Sequence, residues 1–179
     1  MGDGSDQELA GRAAKGDAAA FACLIERHYD RIHRIAWRLT GSTADAEDVA
    51  QDVCVKLAAA IKSFRGDAEV STWVWRITYN AATDILRARQ RVRPAEPSEM
   101  LMLVDATVSH APGPGCDGDH LWQTVNRLPG QQRDAVLLVY GEEMTHAEAA
   151  AVMGCSEKTV SWHLHAARKR LKTMLEAVE

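Results

Sequence analysis

The sequence contains no CxxC pair, and its cysteines are too scattered to form a disulfide framework. They stand at Cys23, Cys54, Cys116 and Cys155. This scatter favours a reducing compartment, and we expect the protein in the cytoplasm. The histidines include the run HLH at 163–165, but no HExxH motif is present. Neither a metal site nor any other cofactor is therefore predicted.

A long apolar run is also missing. No stretch approaches the roughly 18 to 20 apolar residues that a membrane-spanning helix needs. Residues 1–17, MGDGSDQELAGRAAKGD, contain no apolar core behind a basic start. We therefore expect a soluble globular protein with no membrane insertion and no classical export signal. The chain has 179 residues and 46% hydrophobic content, enough for one ordinary domain or two small ones.

Lysine and arginine are absent from residues 94–126, which hold five acidic side chains. Residues 61–93 hold seven basic and three acidic side chains, and residues 127–179 hold seven of each. The formal net charge of -4 alone argues against nucleic acid, because a polyanion requires lysine and arginine to displace its counterions. The segregation of charge reverses that argument, since two basic patches lie within an acidic protein.

Helical periodicity dominates the sequence, and no convincing alternating pattern of a β-strand is present. We predict an all-α fold with two small helical domains joined by a flexible acidic linker. The predicted boundaries are 1–93, 94–119 and 120–179. The helices predicted in the first domain lie at about 7–39, with a break near Gly16, at 43–64 and at 71–91. Those predicted in the second lie at about 120–127, 131–140, 146–153 and 157–175.

The last part of the sequence carries the signature of a helix-turn-helix. Thr145 and Glu148 match a capping box, in which the threonine accepts from a backbone amide and the glutamate reaches back. The run Met-Gly-Cys at 153–155 predicts a tight turn, and Ser156 is predicted to cap the helix that follows. Two helices joined by a three-residue turn that contains glycine are typical of this DNA-binding motif.

The last helix has one apolar and one polar face. Its predicted buried stripe, at intervals of four, three and four, is Val160, Leu164, Ala167 and Leu171. A recognition helix places its N-terminal outward residues on base edges and later basic residues on phosphates. We assign to the groove Lys158, Ser161, Trp162 and His165. We assign mainly to the DNA backbone Arg168, Lys169 and Lys172. A solvated amphipathic helix is the alternative.

The helix predicted at 71–91 contains two tryptophans, Trp73 and Trp75, whose directions differ by about 200°. Trp75 falls on the apolar face and is predicted to lie in the core. Trp73 falls in the polar wedge with Arg76 and Asn80. An aromatic ring among arginines suits stacking on nucleic-acid bases, worth about 1–3 kcal/mol per base. Burial of Trp73 against the first helical block is the alternative, and the helical wheel does not decide between them.

Three stretches resemble the conserved regions of bacterial extracytoplasmic-function (ECF) sigma factors, the smallest group of the sigma-70 family. They are AEDVAQDVCVKL, FRGDAEVSTWVWRITYNAATDILR and LPGQQRDAVLLVYGEEMTHAEAAAVMGCSEKTVSWHLHAARKRL. The resemblance covers about residues 6–175. It implies a protein that is not an enzyme, that binds RNA polymerase core enzyme and that directs it to promoters. It also implies that the first domain opens the minus-ten element, that the second binds the minus-thirty-five element as duplex DNA, and that an anti-sigma factor controls the protein.

The resemblance also assigns residues to three surfaces. For binding to the polymerase, the resemblance implies Asp45, Glu47, Asp48, Gln51 and Asp52 of this chain. Acidic side chains suit a basic partner. For binding to the minus-ten element, it implies Arg65, Gly66, Asp67, Ser71, Trp73, Arg76, Asn80, Arg87 and Arg91. For binding to the minus-thirty-five element, it implies Lys158, Thr159, Ser161, Trp162, His165, Arg168 and Lys169. Within the second group, the loop 65–71 is implied to hold a flipped base, and Trp73 to stand at the upstream edge of the melted segment. For the acidic group, a solvated helix face whose acids favour the helix N-terminus is the alternative.

The recognition helix departs from the family at one point. Many relatives carry arginine or lysine at the positions that match Ser161, Trp162 and Ala166. We therefore expect this protein to prefer a less common minus-thirty-five sequence. Trp162 and His165 are candidates for apolar or stacking contacts with thymine methyl groups or with the backbone.

Two other classes of protein explain less of the chain. A helix-turn-helix regulator of the response-regulator output type would explain residues 128–171, but it leaves the first domain and its acidic helix without a role. An enzyme that uses cysteine and histidine finds no catalytic spacing in the sequence. The cysteines at helical positions are typical of small buried thiols.

Overall fold

The structure, a computed structural model, describes residues 4–92 and 124–176. Every regular element within these two ranges is a helix, which confirms the predicted all-α fold. None of the helices in the described ranges is long and apolar enough to span a membrane. The chain divides into two compact units, Met1–Gln90 and Arg91–Glu179. The predicted linker at 94–119 and the first half of the helix predicted at 120–127 lie outside the described residues.

The first unit begins with two helices that are separated where the sequence predicts a break. Helix α1 spans Asp6–Ala14, and helix α2 spans Ala18–Thr40. One carboxylate oxygen of Asp17 accepts from the amide of Ala20 at 3.0 Å and caps α2. The other oxygen binds the Arg12 guanidinium at 2.7 Å. A cap and an ion pair therefore fix the bend between the two helices.

Two further helices complete the first unit. Helix α3 spans Thr43–Ala60, a 3₁₀ turn covers Ile61–Ser63, and helix α4 spans Val70–Val92. Gly41 ends α2 in the left-handed conformation, with φ at 71°, and the Ser42 side chain caps α3. Aliphatic side chains from these helices form the core of the unit, among them Leu9, Leu24, Ile32, Val49, Val53, Leu57 and Val74.

The second unit is described as three helices and a turn. Helix α5 spans Gly130–Val136, helix α6 spans His146–Met153, and helix α7 spans Glu157–Glu176. The last two helices confirm the predictions at 146–153 and 157–175 to within one residue. A separate core lies among these helices, which includes Val125, Leu137, Leu138, Ala149, Val152 and Val160.

The segment after α5 differs from the single helix predicted at 131–140. Residues Leu137–Gly141 form a π turn, in which the amide of Glu142 donates to the carbonyl of Leu137 at 3.0 Å. The backbone then passes through Glu143 in the left-handed conformation, with φ at 56°. The wider turn keeps both leucines at its start buried. A segment of five residues is too short for its apolar spacing to distinguish a π turn from an α turn, so the sequence did not reveal the change.

Helices α6 and α7 form the predicted helix-turn-helix. Thr145 and Glu148 make both bonds of the capping box, and Gly154 closes the turn with φ at 65°. The Ser156 hydroxyl accepts from the amide of Thr159 at 3.1 Å and caps α7, as predicted. The predicted stripe of α7 is buried at Val160, Leu164 and Ala167 and half-buried at Leu171.

Candidate nucleic-acid and polymerase interfaces

The outward face of α7 carries the side chains that the sequence predicts to contact DNA. The exposed ones are Lys158, Ser161, Trp162, His165, Arg168 and Lys169. Thr159 is half-buried, and its hydroxyl lies 2.8 Å from the Ser156 hydroxyl at the start of the helix. Lys172, also assigned to the DNA backbone, is exposed as well, so the fold of the second unit leaves seven of the eight predicted side chains accessible to a partner.

Two residues that the sequence analysis missed hold members of this face in place. His146, at the start of α6, lies with its Nδ1 3.1 Å from the Ser161 Oγ. The Tyr140 hydroxyl accepts from the Arg168 Nη2 at 3.1 Å. Both partners come from other elements, so the spacing along α7 carries no signal for them. They restrict Ser161 and Arg168 in advance, which reduces the entropy that binding must remove.

Trp162 is an exposed aromatic side chain in this polar row. It is 62% exposed, and its ring lies edge-on to His163 with the centroids 5.0 Å apart. An indole so exposed contributes little to the core and offers a large apolar surface to a partner. This position supports the predicted contact with thymine methyl groups or with the DNA backbone.

His163, next to Trp162, is buried instead. Its Nδ1 has no hydrogen-bond partner among the described residues. Burial lowers the pKa of His163, and the negative charge of Asp134 on α5 opposes that effect without reversing it. The folded unit therefore favours the neutral imidazole.

We expect the second unit to lose stability as the pH falls below about 6.5. The unfolded chain takes up a proton on His163 near the ordinary pKa of 6.5, whereas the folded unit resists it, so acid favours unfolding. Urea unfolding of the unit is monitored by amide hydrogen exchange at about pH 7.5 and at about pH 5.5. The difference between the two free energies of unfolding measures this loss. His163→Gln should flatten the dependence, while His165→Gln, at an exposed position, should preserve it. If the stability of the His163→Gln variant depends on pH as strongly as that of the wild type, His163 is not the cause of the loss.

Helix α4 presents a polar stripe to solvent. Arg76, Asn80 and Arg87 are exposed as predicted, and their intervals of four and seven place them on one face. Arg87 lies 3.8 Å from Asp84 in an exposed pair that stabilises the helix little. The side chain of Arg91 lies outside the described residues. The stripe offers positive charge and one amide to a polyanionic partner.

Trp73 does not lie on that stripe. It is 9% exposed, and its ring packs at 49° to the ring of Phe64 with the centroids 5.0 Å apart. The helical wheel left the direction of Trp73 open, and burial, one of its two alternatives, holds in this structure. The contact with minus-ten DNA that the resemblance implies for Trp73 stays a prediction. Phe64 follows the 3₁₀ turn and covers a side of α4 that a wheel of the isolated helix leaves in solvent. In this conformation only a small part of the ring is open to a partner.

Trp75 lies in the core, as predicted. It is 2% exposed, and the Arg31 guanidinium of α2 sits 4.7 Å from the centroid of its ring. A cation at this distance over an indole makes a favourable cation–π contact. Trp75 therefore joins α2 to α4 through both apolar packing and charge.

The loop before α4 is exposed at its centre and anchored at its ends. The exposed residues predicted to hold a flipped base are Arg65, Gly66 and Asp67. Phe64 anchors one end on Trp73, and Val70 is 1% exposed at the other. Gly66 has φ at 77°, a conformation that glycine adopts without strain. Ser71 is half-buried in the first turn of α4. A short exposed loop between two anchors suits the capture of an extruded base.

Helix α3 carries the predicted acidic face. Its exposed members are Glu47, Asp48, Gln51 and Asp52. Asp52 lies 2.8 Å from Lys56 in an exposed ion pair, and Val55 in the same stripe is 69% exposed. This face therefore offers a basic partner acidic charge and one apolar contact.

Asp45 is not part of this face. It is 6% exposed, and its Oδ1 binds the guanidinium of Arg89 on α4. The prediction that Asp45 lies with the exposed acids is wrong. Positions 45, 49 and 53 recur at intervals of four, so Asp45 shares the buried stripe of Val49 and Val53. That spacing was visible in the sequence, but the Arg89 partner was not.

The thiols and histidines of the described part do not gather into a metal site. No group of three or more His, Cys, Asp or Glu side chains in residues 4–92 and 124–176 is placed to hold a metal ion. Burial raises the pKa of the Cys54 and Cys155 thiols. Protonated thiols are weak nucleophiles, so these two cysteines have the character of structural residues.

Comparison with protein-family models gives one match in each half of the chain. The model described as Sigma-70 region 2 matches residues 24–92, which include α3, the exposed loop and α4. The model described as Sigma-70, region 4 matches residues 119–171, which include the helix-turn-helix. The exposed loop and residues 157–171 of α7 therefore lie inside matched regions.

Individual proteins match over nearly the whole chain. The chain is 36% identical to the ECF RNA polymerase sigma factor SigM of Mycobacterium tuberculosis, over 96% of this chain and 85% of that protein. It is 28% identical to the ECF RNA polymerase sigma-E factor of Escherichia coli K12, over 96% of this chain and 95% of that protein.

Two solved structures are similar in fold. The structure of CnrH in complex with the cytosolic domain of CnrY gives a TM-score of 0.72 at 28% identity, over 98% of this chain and 100% of that one. The structure of the sigma factor RpoE with the anti-sigma factor NepR from Bartonella quintana gives a TM-score of 0.69 at 25% identity, over 87% of this chain and 96% of that one.

These matches decide between the classes that the sequence left open. A regulator of the response-regulator output type would leave the match at residues 24–92 unexplained, and none of the comparisons supports it. The two regions occur in the order found in relatives that align along almost the whole chain. The chain therefore belongs to the sigma-70 family, as a sigma factor of the ECF group.

Proposed function

We propose that this protein binds RNA polymerase core enzyme in the cytoplasm and directs it to start transcription at specific promoters. It performs no covalent chemistry and is not an enzyme, because the energy that opens DNA comes from binding the separated bases. The observation that carries this proposal is the pair of sigma-70 regions, in order, in a chain aligned over 96% of its length with an ECF sigma factor.

The first unit, proposed to extend over residues 1–93, binds both polymerase and the minus-ten element. The polymerase surface consists of Glu47, Asp48, Gln51 and Asp52, all exposed on α3. The minus-ten surface consists of Arg65, Gly66, Asp67, Ser71, Arg76, Asn80, Arg87 and Arg91. Trp73 and Phe64 support this second surface from inside. Acidic charge faces the protein partner, and basic charge faces the DNA.

The second unit, proposed to extend over residues 120–179, binds the minus-thirty-five element as duplex DNA. Helix α7 enters the major groove, as the second helix of this motif does. Its contacts are made by Lys158, Thr159, Ser161, Trp162, His165, Arg168 and Lys169. Residues 94–119 link the two units.

A partner that keeps the protein inactive is also part of the proposal. The similar structure of RpoE contains the anti-sigma factor NepR, and that of CnrH contains the cytosolic domain of CnrY. We propose that an anti-sigma factor binds this chain and covers its polymerase and DNA surfaces until a signal releases it.

A reconstituted transcription assay tests the function. Purified core polymerase is mixed with the full-length protein and a library of randomised promoters, and the transcripts are sequenced. We expect initiation from a subset of promoters that share minus-ten and minus-thirty-five sequences. Initiation that does not depend on the added protein, or tight promoter binding that needs no core enzyme, would contradict the proposal.

We expect Asp48→Lys to slow association with core polymerase by about tenfold at low salt, and by less as salt is added. Asp48 is exposed on the acidic face, so the change reverses a charge that attracts the partner and leaves the fold intact. Asp45→Asn is the matched control on the same helix, because Asp45 is buried against Arg89. Stopped-flow measurement with labelled core enzyme should show normal association for Asp45→Asn. Equal slowing in both variants would contradict the assignment.

A further inference from the structure

The start of α1 is fixed both by its own cap and by α2. Ser5 and Glu8 form a capping box, with bonds of 3.2 Å to the Glu8 amide and 2.8 Å to the Ser5 amide. The Asp6 carboxylate binds the Arg27 Nη1 at 3.0 Å and the His28 Nε2 at 2.8 Å. His28 is itself buried. These contacts hold the first turn of α1 in one orientation on the surface of the first unit.

That orientation places Gln7 against the exposed loop before α4. The Gln7 Nε2 donates to the carbonyl of Gly66 at 3.4 Å. A Cβ built on Gly66 would lie 3.2 Å from the same nitrogen, so the amide and the loop backbone are in close approach. Helix α1 also packs against the 3₁₀ turn Ile61–Ser63, directly before the loop. The N-terminal helix therefore supports the loop at its base and at its centre.

We propose that Gln7 is a positioning residue for the minus-ten element. The inference rests on the proposed function, in which this loop holds a flipped base. Discrimination among bases requires contact groups fixed within about 0.5 Å, and exposed loops achieve this only when other groups hold their backbone. Arg65 and Asp67 flank the carbonyl that Gln7 binds, so the directions of both side chains depend on that support. Helix α1 belongs to the DNA-recognition apparatus although it does not touch DNA.

The test measures base capture separately from binding of the DNA backbone. Full-length protein bound to core enzyme is titrated with two fluorescent single-stranded oligonucleotides. One carries the minus-ten sequence that the wild-type protein selects from the promoter library. The other lacks the single base whose removal weakens wild-type binding most. The ratio of the two affinities reports the capture of that base.

We expect Gln7→Ala to lower this ratio about two- to tenfold, the usual effect of losing one hydrogen bond. Gln7→Glu should lower it at least as much, because a carboxylate would face the Gly66 carbonyl. Hydrogen exchange of the loop amides at 65–69 should become faster in both variants. Affinity for the minus-thirty-five duplex should not change.

Gly11→Ala separates support of the loop from the stability of α1. Gly11 is exposed within α1, and a Cβ built on it meets nothing within 4 Å, so the alanine strengthens the helix without touching the loop. The double variant Gln7→Ala with Gly11→Ala should keep the lowered ratio. A ratio equal to the wild-type value, in either the single or the double variant, would overturn the inference. A wild-type protein that does not distinguish the two oligonucleotides would overturn the proposed function instead.

Discussion

Replacing Trp73 by alanine is expected to lower the free energy of unfolding of the first unit by about 3–5 kcal/mol. The ring is 9% exposed and packs against Phe64, so truncation removes a large buried surface and leaves a cavity. Hydrogen exchange of amides in α2, α3 and α4 at increasing urea concentration measures this loss for the unit alone. A loss below about 1 kcal/mol, as found for exposed positions, would contradict the burial of the ring.

Two further variants control for the size of the residue and for the removal of an indole. Trp73→Phe keeps an aromatic ring beside Phe64 and should recover most of the stability. Trp162→Ala removes an indole that is 62% exposed, and it should leave the unfolding of the first unit unchanged. A large loss from Trp162→Ala would show that the measurement does not report burial.

The same Trp73→Ala variant separates two roles in promoter opening, at a temperature where it remains folded. Because the ring packs against Phe64 at one end of the loop that we propose to hold a flipped base, we expect equal loss of open complexes on duplex promoters and on promoters with a melted minus-ten segment. A larger loss on duplex DNA would contradict this structural role. It would instead show that Trp73 leaves Phe64 and acts at the edge of the melted DNA, as the family resemblance implies.

Trp162→Ala is expected to weaken binding of the holoenzyme to the minus-thirty-five element by about 1–3 kcal/mol, or about fivefold to 150-fold. The indole lies on the outward face of α7 between Ser161 and His165, and its apolar surface has no role in the core. Competition titration with a duplex that carries only the minus-thirty-five element measures the affinity. Loss of less than about twofold would contradict a direct contact.

Trp162→Arg tests whether the indole also sets sequence preference. The family resemblance implies a basic side chain at this position in many sigma factors, and arginine favours guanine through two hydrogen bonds in the major groove. We expect this variant to retain affinity through the added charge and to select different minus-thirty-five sequences from a randomised library. If the variant selects the same sequences as the wild type, Trp162 adds contact area with the DNA but does not set the sequence preference.

Helix periodicity predicted the fold of this chain well, because most of its core lies on regular stripes. Spacing alone placed Val160, Leu164 and Ala167 in the core of the second unit, and it left Trp162 outside. The same reasoning left Trp73 undecided, because Phe64 covers a side of α4 that looks polar on the wheel. A helical wheel treats each helix as isolated, so it cannot register a loop that folds over the helix.

The contacts that sequence analysis missed join residues far apart in the chain. Asp45 meets Arg89, His146 meets Ser161, and Gln7 meets Gly66. Each pair contains a polar residue whose type suits a solvated surface equally well, so composition gave no reason to pair them. Only the packing of the helices brings the partners within hydrogen-bond distance.

The division of the chain into two units, each with its own core, has a calorimetric consequence. A domain that encloses its own core melts as its own cooperative unit, so heating this protein should produce two heat-absorption peaks that need not coincide. A single melting temperature for the whole chain would average two transitions. A ligand that binds one unit alone would shift one peak and leave the other in place, so the calorimetric trace would identify the unit that a DNA fragment or a protein partner occupies.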